Sequence, residues 1–124
     1  MNSNPAITEA EGFAELELFT DAWDMIDDLP PAMRTHPEAL RVRLMCCTGL
    51  EKWELGADLA RLVGEAGNPL ELRETAGKFH LAHARHLLRS GCRDAAIGEV
   101  LRLSISWPEG RVLVLDDPGL SGLL

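Results

Sequence analysis

Phe19 and Ala22 return as Trp53 and Gly56, each after the same step of 34 positions. The match extends to five residues, Leu18-Phe19-Thr20-Asp21-Ala22 against Lys52-Trp53-Glu54-Leu55-Gly56. A third copy, Cys92-Arg93-Asp94-Ala95-Ala96, follows after a step of 40, from Gly56 to Ala96. Self-similarity at such a period marks a chain built from copies of one supersecondary unit. No single unit can bury its own apolar face, so the copies must stack. The small residue in each copy has a physical role. Two helices of a tight hairpin come close only where one presents Ala or Gly, and an aromatic ring fills the wedge beside that contact.

Apolar residues around the copies recur at the helical spacing of three and four. A first helix is expected from a Thr8–Glu11 capping box, with Phe13 and Leu16 apolar and Gly12 loosening it. A break near Glu17 separates it from a second stripe of Phe19, Ala22, Trp23, Ile26 and Leu29, which Pro30-Pro31 ends. A third helix opens at Pro37 and carries Leu40, Leu44, Cys47 and Leu50. A fourth runs from about Trp53 to Val63, before the stop signal Gly64, Gly67, Asn68 and Pro69. A fifth spans about Leu70 to Ser90, and a sixth about Arg93 to Trp107. The segment Arg111–Leu115 reads as either a strand or a short capping helix, with the helix preferred because a lone strand has no sheet to join. The expected fold is all-α: about three stacked antiparallel hairpins (8–30, 37–66 and 70–107) and a closing tail (108–124) in one domain, 1–124.

A 34-residue period with an aromatic and then a small residue at these offsets resembles the tetratricopeptide repeat, and Asp116-Asp117-Pro118-Gly119-Leu120 is similar to a closing segment that follows such repeats in small bacterial proteins. Pro69 and Pro108 near unit ends fit the pattern, while Leu44 stands at the small first-helix position of the middle unit and Arg93 at the aromatic position of the last. The resemblance implies an α–α superhelix whose first helices line a concave groove for a peptide or helix of another protein. It would place Arg41, Met45 and Thr48 in the groove from the middle unit, and Lys78, Leu81, Arg85 and Arg89 from the last.

Charge refines that expectation. The chain has a net charge of −8, and its first thirty residues hold eight acids with no Lys or Arg. An acidic chain is a poor generic ligand for nucleic acid, whose binding rests on neutralised phosphates. The segment from Lys78 to Arg93 is basic, so an acidic peptide partner fits best. Docking of the acidic end onto that segment in a second copy would make a homodimer. The alternative role is a structural or self-associating subunit whose groove is filled by its own tail or by a second copy.

Three cysteines, two of them adjacent, argue against a disulfide framework and for a reducing, cytoplasmic setting. No apolar run is long enough for a membrane span. His80, His83 and His86 are the sharpest chemical feature, and His80 with His83 is the weak candidate for a metal pair. They have no acid nearby in sequence, and three histidines at steps of three drift around a helix, so no resident metal or other cofactor is expected and the row reads as partly exposed packing residues. No nucleophile turn or phosphate-cradling loop is visible, so an enzyme is not expected.

Overall fold

The computed structural model describes residues 4–65 and 67–123. Among them every regular element is helical: α1 (Pro5–Glu15), α2 (Phe19–Asp27), α3 (Pro31–Arg34), α4 (Pro37–Gly49), α5 (Trp53–Val63), α6 (Leu70–Arg89), α7 (Arg93–Ser106) and α8 (Arg111–Leu115), with single 3-10 turns at Pro108–Gly110 and Ser121–Leu123.

Local chemistry explains most boundaries. Asn4, not Thr8, caps α1: its Oδ1 accepts from the Ala6 N–H at 2.8 Å, and Pro5 occupies the first helical position, where a missing N–H costs nothing. Thr8 instead donates its hydroxyl back to the Asn4 carbonyl, so the expected capping box is replaced by an earlier cap. The same device opens α4, where His36 Nδ1 accepts from Glu38 N–H ahead of Pro37. The short α3 was not anticipated; Pro30 and Pro31 end α2 but also preset one helical turn.

The turns from α1 to α2, from α4 to α5 and from α6 to α7 share one conformation. Each has a residue with positive φ between two residues with negative φ: Glu17 at 63°, Glu51 at 56° and Gly91 at 82°. In each, the next residue's N–H reaches back five positions: Leu18 to the Phe13 carbonyl, Lys52 to Cys47 and Cys92 to Leu87, at 2.9, 2.9 and 2.8 Å. This is the Schellman closure of a helix, which favours Gly at the left-handed position. A side chain there costs about 1 kcal/mol. Glu51→Gly and Glu17→Gly are therefore each expected to raise stability by about that amount, and Gly91→Ala to lower it equally, read as shifts of the denaturation midpoint.

Packing follows chain order. α1 packs on α2; α4 packs on α1, α2 and α5; α6 packs on α4, α5 and α7. The core divides accordingly. Ile7, Ala10, Ala14, Ala22, Ile26 and Val42 fill the space between α1, α2 and α4. Leu44, Cys47, Ala60, Val63, Ala76 and Phe79 fill that between α4, α5 and α6. The third cluster joins Leu81, Ala84, Ala96, Val100 and Leu103 of α6 and α7 to Val114, Leu120 and Leu123 of the tail.

The three repeated small residues all lie at helix crossings. Ala22 and Ala96 are fully buried in the first and third clusters. A Cβ on Gly56 would stand 2.3 Å from the Phe79 ring and 3.0 Å from Cys47 Cβ, which is too close for any side chain. The rings beside them are Phe19, against Gly49, and Trp53, against Phe79. The tail resolves as 3-10 turn, short helix and 3-10 turn, and it packs Val114, Leu120 and Leu123 against α6 and α7.

Candidate functional site

The first helices place the expected groove residues as follows. Arg41 of α4 is ion-paired with Glu11 of α1, and Lys78 of α6 with Glu74 one turn away. Met45 packs against the first core cluster, and Thr48 donates its hydroxyl to the Leu44 carbonyl. Arg85 donates to Asp117 of the tail at 2.7 Å, and Leu81 is buried in the cluster that holds Leu120 and Leu123. Arg89 is exposed and has no ion-pair partner among the described residues. In the last unit, then, Leu81 and Arg85 face the chain's own tail. The hydrogen bond from the Arg85 guanidinium holds the Asp117 carboxyl below the usual range; burial opposes it, and the N–H groups of Gly119 and Leu120, which donate to Asp117, with the charge of Arg85, keep the balance downward.

The histidine row belongs to a four-residue polar network with Glu99 and Arg102 of α7. His80 is buried, contrary to the expectation of partial exposure, and the reason is Glu99 of α7. The His80 and His83 Nδ1 atoms lie 2.9 and 3.0 Å from the same oxygen, Glu99 Oε1, and Arg102 donates to Oε2 at 2.7 Å. An ionised carboxylate only accepts, so both imidazoles carry their proton on Nδ1. Burial alone pushes the Glu99 carboxyl up; hydrogen bonds and charge from His80 and His83 more than reverse it, so its pKa lies below the ordinary glutamate value. The network ties α6 to α7, and Trp53 of α5 joins it by stacking on His83 (centroids 5.2 Å apart) and on His86 (4.9 Å). The buried Trp53 indole N–H has no acceptor among the described residues.

His80 also lines a pocket of about 150 Å³ between α5 and α7, together with Ala60, Arg61, Gly64, Glu65, Arg102, Ile105 and Ser106. Among the described residues, no group of three or more His, Cys, Asp or Glu side chains is arranged to hold a metal ion. His80 and His83 direct Nδ1 to a carboxylate that Arg102 already neutralises, which makes the pair a hydrogen-bonded strut. Cys46 and Cys47 are buried, and burial, with Cys47 adjacent, pushes the Cys46 thiol up to about 11; burial raises Cys47 as well. Neither is an activated nucleophile. Cys92, by contrast, is exposed, next to Gly91 in the turn between α6 and α7.

Glu99 went unrecognised at the level of sequence. A signal existed: it sits three residues after Ala96 and four before Leu103, inside the apolar stripe of α7. A lone acid on a core face needs buried donors, and the histidines on α6 supply them.

No helix among the described residues is long and apolar enough to cross a membrane. No family model matches the chain, and neither a curated protein nor a solved structure matches it.

Proposed function

We propose that the chain is a tetratricopeptide-like stack of three hairpins that binds an acidic segment of another protein along its first helices. The observation that carries this reading is the triplicate turn: Glu17, Glu51 and Gly91 share one conformation at the same place in each hairpin. The packing of each first helix on the next, and of each second helix on the first helix that follows, is what a continuing superhelix requires. Arg41, Lys78 and Arg89 then supply cations along the inner face, with Met45 and Thr48 between them. Free thiols at Cys46, Cys47 and Cys92 suit a cytoplasmic setting.

A second reading has its own support. Arg85 is paired with Asp117 and Leu81 lies in the cluster of the apolar tail, which supports a reading in which the tail takes up part of the inner face. In that case the chain is a self-capped structural subunit. An array of acidic peptides probed with wild type and with Arg41→Glu/Lys78→Glu/Arg89→Glu separates the two. The binding module predicts peptides that wild type retains and the folded variant loses at least tenfold. Equal retention, or no binding by either, favours the self-capped subunit.

A further inference from the structure

His80 is only 2% exposed, and its Nδ1 is taken by Glu99. The other ring nitrogen, Nε2, has no hydrogen-bond partner among the described residues. Of the buried and half-buried side chains described, only Trp53 has a polar atom that is both sealed off and unpartnered. The His80 Nε2 is therefore open to an incoming group, and His80 is a wall of the pocket between α5 and α7. A neutral imidazole protonated on Nδ1 offers a lone pair at Nε2. Ser106 adds a second acceptor to the same pocket, because its hydroxyl proton already goes to the carbonyls of Arg102 and Leu103. Ala60, Gly64 and Ile105 supply apolar wall. The volume of about 150 Å³ is that of a cavity that takes one benzene ring.

We propose that this pocket binds a small neutral molecule, an apolar body of about one ring bearing a hydroxyl, whose O–H donates to His80 Nε2. Charge selects a neutral ligand. Both cations that line the pocket are already paired, Arg61 with Asp58 and Arg102 with Glu99, and the exposed Glu65 lines it too. An anion would meet Glu65 and Glu99, and a cation would meet Arg61 and Arg102, so neither finds a matching field. A hydroxyl needs no countercharge. It supplies the one proton that Nε2 lacks, and its oxygen can accept from a guanidinium N–H of Arg102. Glu99 is the positioning residue: by holding the ring proton on Nδ1 it keeps Nε2 an acceptor. A buried acceptor that is satisfied only when the ligand brings a donor discriminates against the same body without one. The site does not depend on any protein segment binding along the first helices.

NMR titration of the full chain tests it, with phenol as the ligand, fluorobenzene as a body of similar size without a donor, and benzoate as the anion. Phenol should shift the amide signals of Ala60, Gly64, Ile105 and Ser106 saturably and move the His80 Nε2 resonance, followed through its ring protons. Fluorobenzene and benzoate should each bind about fivefold more weakly, the worth of one hydrogen bond, and leave Nε2 in place. Ile105→Ser, which alters an exposed wall position, should keep its helix content and bind phenol about threefold more weakly. Absence of any saturable shift overturns the proposal and leaves the pocket to water. Equal affinity for phenol and fluorobenzene overturns it as well, and so does tighter binding of benzoate, which would make this an anion site. Phenol shifts confined to other helices would also overturn it.

Discussion

Phe79→Ala is expected to destabilise the chain by about 3–5 kcal/mol, the largest effect of any single truncation. Phe79 is the bulkiest fully buried side chain and sits where α4, α5 and α6 meet. Its ring fills the space left by the missing side chain of Gly56 and packs against Trp53, His80 and His83. Removing it opens a cavity that the packed helices α4, α5 and α6 close only in part. For a chain of this size the thermal midpoint should fall by roughly 10–20 °C. Gly56→Ala attacks the same contact from the other side and should cost about 1–3 kcal/mol by overpacking. Phe79→Leu combined with Gly56→Ala should cost less than the sum of the two, because the smaller side chain makes room for the new methyl. Strict additivity would mean that the two residues do not touch.

Glu99→Ala comes next, at about 3 kcal/mol, since it strands the buried His80 N–H and removes the partner of Arg102. His83 and Arg102 reach solvent more readily and should recover part of the loss with water. The pH dependence has a definite sign. The folded-state pKa of Glu99 lies below its ordinary value of 4.5. The stabilisation is therefore fully present above that value and is lost as pH falls through the lower, folded one. Denaturant midpoints of wild type should drop across that acidic window more steeply than those of Glu99→Gln, which has no proton to take up there. Parallel profiles would show that Glu99 carries no linked stability.

Much of the helical layout was legible because helix stops and starts are marked by Pro, Gly and the recurring five-residue match. The bounds of α4 follow from Pro37 and the Gly49 region, and those of α5 and α7 from the recurring five-residue match. α1 began earlier than expected because Asn4 and Pro5 outcompete the capping box at Thr8. The tail was ambiguous because Arg111–Leu115 has strand composition; burial of Val114 against Val100 and Leu103 is a tertiary effect that local propensity does not carry. The same reason hid the histidine network. Glu99 is remote from His80 and His83 in sequence and becomes their neighbour only when α7 folds back on α6. The cations expected to line a groove were readable as charges, and the pairing of Lys78 with Glu74 one turn away follows from helical spacing, but the pairing of Arg41 with Glu11 and of Arg85 with Asp117 depends on how separate elements meet, and so does the burial of Leu81 beneath the tail.

Backbone dihedral angles of Glu17, Glu51 and Gly91 in solution, from NMR chemical shifts and residual dipolar couplings, test the repeat itself. All three residues should be left-handed, with helical residues ending at the same distance before each and resuming at the same distance after. A right-handed Glu17 or Glu51, with helix running unbroken through it, would contradict the proposed three-hairpin architecture and every role built on it.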